Sequence, residues 1–217
     1  MRSGSNVQTQ AARALPVVPQ RDVVAALRAA TAERHAVIDR SMPLSRPNPT
    51  VADYIDHLRL MRAWLQPLES WLEGSDVYPE PHSSQISQTS WIDADLAESG
   101  LQGAADPAVT RARCWPADAD ISYQWGARYV IEGSRLGASV LYRRLSCALS
   151  PHKLRYLQGG DETSGHRWPT FLHELRASVR TPFEIEAACE GACDSFDALL
   201  SARTPEGPFM PQARDHS

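Results

Sequence analysis

The stretch Tyr129-Val-Ile-Glu-Gly-Ser-Arg-Leu-Gly-Ala138 lies inside a segment that reads as one helix from Ile121 to about Leu149. It carries two glycines one turn apart. Each glycine in a helix interior costs roughly 1 kcal/mol relative to alanine. Residues four apart share a face, so Gly133 and Gly137 lay a strip of bare backbone along one side of the helix. Bare backbone admits a closer approach than side chains do. What approaches is either another helix or a ligand.

Working outward, nearly every apolar segment repeats with the helical period and none alternates with period two, which predicts an all-α fold. A first helix starts at the N-cap Asp22, runs its stripe through Val24, Leu27, Thr31, His35 and Ile38, and ends near Ser41 before Pro43. A second opens at Thr50, with Asp53 completing a capping box, and continues through Tyr54, Leu58, Met61, Leu65, Leu68 and Leu72, with a kink expected at Pro67. Residues 74–90 read as a loop before a short helix containing Trp91 and Leu96. After the glycine-bearing helix, closed by Pro151, a further helix carries Trp168, Phe171, Leu172 and Leu175. The last opens on Thr181, Pro182 and Glu184 and buries Ile185, Ala188, Ala192, Phe196 and Leu199. The organisation expected is a disordered tail over 1–20, one helical domain over 21–203 and a loose tail over 204–217.

With 217 residues the chain suits one domain able to bury an ordinary core. A net charge of -4 and the absence of a basic stripe argue against nucleic acid. No segment approaches the roughly 18 apolar residues of a membrane span. Cys114, Cys147, Cys189 and Cys193 show no C-x-x-C pairing and read as reduced thiols of a cytoplasmic protein. Cys189 and Cys193 read as small core residues, His57 as a surface or boundary residue, and Glu69 with Glu73 as a solvated helix face. No E-x-x-H occurs, which counts against a carboxylate di-iron bundle.

His35 stands on the buried stripe of the first helix, where an aliphatic side chain would be ordinary. Arg28 lies seven residues earlier on nearly the same face, about 10 Å away along the axis. An iron held by an imidazole, a carboxylate held by an arginine about that far off, and a flat ring pressed against bare backbone would together suit a haem.

Two motifs carry a family resemblance. Leu27-Arg-Ala-Ala-Thr-Ala-Glu-Arg-His35, followed by Asp39, resembles the L-[KR]-x-A-T-x-x-x-H opening of haem oxygenases. Tyr129 to Ala138 resembles their distal helix, in the Y-V-x-E-G-S-x-L-G-G form of bacterial members often associated with phytochromes. The resemblance spans residues 20–201. It implies a single-domain helical bundle in which His35 is the proximal iron ligand, Gly133 and Gly137 line the distal side, and Arg28 meets a haem propionate. It also implies the reaction: oxidation of haem at a meso carbon by O2, with electrons from a separate reductase or ferredoxin, to biliverdin, iron and carbon monoxide. A phytochrome-type photoreceptor is the partner this form suggests for the biliverdin. Ser134 stands where some members carry an aspartate, and is a candidate for holding proton-delivering water or for back-bonding to its own helix.

The chain departs from the family pattern at Ala138, where the last glycine is usual, and in having no Lys or Arg between Thr181 and Ala202, where relatives carry a basic residue toward a propionate. Arg128 and Arg176 are the residues available for that place. Two other functions compete: a haem-binding protein of the same fold that does not degrade its ligand, and a phosphotransfer bundle. The latter would need an exposed His35, whereas the stripe points it inward.

Overall fold

The computed structural model describes residues 22–73, 75–77, 87–98, 115–159 and 164–203, with the backbone alone at 164–166. Both expected tails, and Leu101 and Cys114, lie outside the described residues. Within them all regular structure is helical: α1 (Val23–Ser41), a 3-10 turn (Pro43–Ser45), α2 (Val51–Leu72), α3 (Gln88–Leu96), α4 (Ile121–Leu145), α5 (Arg155–Gln158), α6 (Ser164–Ser178) and α7 (Pro182–Arg203). None is long and apolar enough to cross a membrane.

The helix starts follow the sequence. Asp22 caps α1 by accepting from the Val24 N–H at 3.4 Å, and Thr50 with Asp53 forms the reciprocal capping box of α2. The helical assignment of α2 continues through Pro67. α4 stops at Leu145, short of Leu149, and its last residues pass into a turn. Two short pieces carried no period to read, the 3-10 turn and α5. α5 is bounded by Leu154 at φ 52° and Gly159 at φ 73°, the left-handed conformation that ends a helix most readily at glycine.

α7 is the spine: it packs most extensively on α4, then on α1 and α2. The α4–α7 contact is close because of Gly126 and Gly191. A Cβ on Gly126 would run into the Ala188 carbonyl and stand 2.9 Å from the Ala192 nitrogen, and one on Gly191 would run into the Tyr123 carbonyl. Trp64 of α2 closes the third side, its indole N–H donating to the Ser195 carbonyl at 2.9 Å. The core fills with Leu27, Tyr54, Leu58, Leu65, Ile131, Phe171 and Leu175, all buried.

Two carboxylates are part of this frame. Glu69, read as solvated, is buried: it accepts from the Gln88 N–H at 3.1 Å, the Thr89 hydroxyl at 2.8 Å and the Ser87 hydroxyl, so it neutralises the N-terminus of α3. Glu73 is exposed, as expected of that face. Glu132, inside the glycine motif, is also buried and takes a two-pronged hydrogen bond from Arg167 of α6, 2.8 Å at each oxygen. Burial pushes the Glu132 carboxyl up, but Arg167, Arg135 and Arg128 outweigh it and hold the group below the usual carboxylate range.

Candidate functional site

α1, α2 and α4 wall a cavity of about 630 Å3, with α5, α6 and α7 also contributing to its lining. Its α4 side is the strip at Gly133 and Gly137. A Cβ built on either would meet nothing within 4 Å. The glycines of α4 thus divide by purpose: Gly126 lets another helix in, whereas Gly133 and Gly137 face open space. Ala138 is buried in the same wall.

His35 lines the cavity from α1. Its side chain is 61% exposed, which corrects the expectation of burial: past Thr31 the α1 stripe leaves the packed core and faces the open cavity. Nδ1 stands 2.9 Å from the Asp39 carboxylate one turn on, and the ring lies 6.0 Å from that of Phe196. A carboxylate partner fixes the proton on Nδ1 and leaves the Nε2 lone pair for a metal, the arrangement common to metal-binding histidines. Among the described residues no three His, Cys, Asp or Glu side chains cluster as a cage for a bare ion.

The arginines sort differently from the sequence reading. Arg28 is exposed, and it interacts with the hydroxyl of Tyr129, which lines the cavity. Burial raises the Tyr129 hydroxyl, and the Arg28 charge and hydrogen bond pull it part of the way back. Arg128 does not line the cavity. It lies on another face of α4, where its guanidinium donates to the Val77 carbonyl, sits 3.7 Å from Glu174 and stacks about 5 Å over Trp125 and Phe171. Arg176 is away from the cavity too, paired with Asp22 at 3.0 Å. The basic residue that does line it is Arg144, in the last turn of α4, which donates to the Leu44 carbonyl.

Ser134 lines the cavity with its hydroxyl donating back to the Ile131 carbonyl at 2.7 Å. The same oxygen lies 3.4 Å from the side-chain amide of buried Gln88, whose backbone N–H binds Glu69. A polar chain therefore leads from a buried carboxylate to the cavity wall. Both readings of Ser134 meet here: it is back-bonded, and it presents an oxygen to the cavity.

Neither a protein-family model nor a curated protein matches the sequence. Among solved structures, the chain is similar to the NO- and CO-bound heme oxygenase of Neisseria meningitidis, with a TM-score of 0.65 and 21% identity, covering 88% of this chain and 100% of that one. The fold is that of a haem oxygenase. Within this fold α1 carries His35 and α4 the glycine pair, and the cavity opens between them.

His57 corrects a further expectation. It is 4% exposed, lines the cavity from α2, lies with its ring tilted 47° to that of Tyr156 at 6.0 Å, and has no hydrogen-bond partner at Nδ1. Leaving a buried polar atom unpaired costs about 1–3 kcal/mol. Burial pushes the His57 imidazole down to about 4 from its ordinary 6.5, so the unfolded chain binds its proton first as pH falls. Stability contributed at neutral pH is accordingly lost between about pH 6.5 and pH 4, by roughly 3 kcal/mol at most from this group. Chemical denaturation at neutral pH and near pH 4 should show a smaller acid loss in His57→Leu than in the natural chain.

Proposed function

We propose that this chain is a haem oxygenase in activity as well as fold, cleaving haem at a meso carbon to biliverdin, iron and carbon monoxide with O2 and electrons from a separate reductase or ferredoxin. One observation carries the reading: an imidazole held at Nδ1 by Asp39 lines the same cavity as a helix face stripped of side chains at Gly133 and Gly137, where nothing lies within 4 Å of either missing Cβ. A flat macrocycle bringing four nitrogens of its own needs just one protein ligand and a smooth opposing wall. When bound, haem supplies the iron at which O2 is activated.

The residues then take the following parts. His35 Nε2 would hold the metal, with Asp39 keeping the ring oriented. Arg28, braced by the Tyr129 hydroxyl, meets one carboxylate of the ligand at the rim, with Arg144 as the further cation of the cavity wall. Gly133 and Gly137 let the ligand and O2 sit against backbone where a side chain would push them away. Ser134 and Gln88 hold water for proton delivery, with buried Glu69 fixing the backbone of Gln88. The Glu-Gly-Ser form of the motif supports a phytochrome-type photoreceptor as recipient of the product.

The full chain loaded with hemin and given a reductant under air tests the activity. The expected result is replacement of the haem bands by biliverdin absorption with release of carbon monoxide. Intact haem after repeated reduction would instead leave a haem-binding protein of this fold.

A further inference from the structure

The residue that the proposed reaction does not use is His57, and it is the least ordinary group in the cavity wall. The lining around it is apolar or aromatic, with Met61 one turn on along α2 and the Tyr156 ring 6.0 Å away. An imidazole there is buried and neutral, and its Nδ1 is paired with no protein group. Other polar groups packed nearby have protein partners: Asp95 accepts from Tyr54, from the Tyr156 N–H and from Arg155 at 2.6–2.9 Å, and Trp64 donates to Ser195. A leucine would fill the same site within the apolar stripe of α2 at no such cost. A polar atom kept unpaired against a cavity marks a contact completed by what the cavity holds.

We infer that His57 is a ligand-contacting residue: its imidazole hydrogen-bonds a small oxygen-bearing molecule, water or a diatomic gas, lodged beside the ring at the α2 end of the cavity. This rests on the reading of the cavity as a haem site. The contact would fix where a gas molecule sits in the cavity, a task distinct from holding the metal at His35 and from anchoring carboxylates at Arg28. A neutral imidazole suits it, because it can donate from one nitrogen and accept at the other without bringing a charge into an apolar wall.

The inference predicts opposite effects of one substitution with and without ligand. In the ligand-free full chain, His57→Leu should raise the melting temperature, by about 3 °C or more, because it removes the unpaired group. In the hemin-loaded, reduced chain with carbon monoxide as probe, the same variant should shift the C–O infrared stretch upward, as loss of a hydrogen-bond donor requires. His57→Asn, which keeps an amide near the place of Nδ1, should keep the stretch close to that of the natural chain. A lowered melting temperature in His57→Leu would show an ordinary structural histidine and overturn the inference. So would an unchanged stretch in a variant that binds hemin normally. Failure of the natural chain to bind hemin would overturn this inference and the proposed function together, which separates that outcome from the other two.

Discussion

Gly126→Ala is expected to destabilise the protein by roughly 3 kcal/mol, a fall in melting temperature of about 6–12 °C. On helix propensity alone the sign would be reversed, since alanine in place of a helical glycine gains about 1 kcal/mol. Geometry decides. The added methyl would overlap the Ala188 carbonyl and stand 2.9 Å from the Ala192 nitrogen, and both are backbone atoms of α7 that no rotamer change can move. α4 and α7 would have to separate, loosening the packing on which α1 and α2 also depend. Thermal denaturation of the ligand-free chain measures this directly, and a neutral or stabilising result would show that the two helices do not approach so closely.

Gly133→Leu, one pair of turns along the same helix, should do the opposite. Nothing lies within 4 Å of the missing Cβ, so the ligand-free chain gains about 0.5–1 kcal/mol from helix propensity. The new side chain occupies the space the proposed ligand needs. Forcing a ring past it carries an overpacking cost of about 1–3 kcal/mol, roughly a 5–150-fold loss of hemin affinity. A hemin titration and a thermal melt of the same preparation separate the two effects. Unchanged hemin affinity would place the ligand elsewhere.

The contrast between these glycines also shows where sequence reading stops. A glycine in a helix announces a close approach without saying by what, and Gly126 carries no mark that distinguishes it from Gly133. The partner that excludes a Cβ at Gly126 comes from α7, more than sixty residues later, so only the packed structure tells them apart. Burial along α1 was legible through Val24, Leu27 and Thr31. The same stripe misled at His35, because a helical period cannot show where a core ends and a cavity begins.

Other residues were within reach of the helical period. At about 100° per residue, Arg128 points roughly 140° away from Gly133, whereas Arg144 falls within about 20° of it. The arithmetic alone removes the one and proposes the other. His57 likewise sits three residues after Tyr54 and four before Met61, on the stripe of α2, and its polarity is what disguised it. Tyr156 is different. It stands on a four-residue helix with no period to read, and it reaches the cavity through the fold of the whole chain.

The proposed function requires that the cavity between α1 and α4 hold haem on His35. The most direct measurement is an optical hemin titration of the full natural chain beside His35→Ala. One equivalent of hemin and a sharp Soret band are expected in the natural chain, the band being lost or strongly displaced in His35→Ala and recovered on adding free imidazole. An identical Soret band in both proteins would contradict it, because the iron would then be held by some other group.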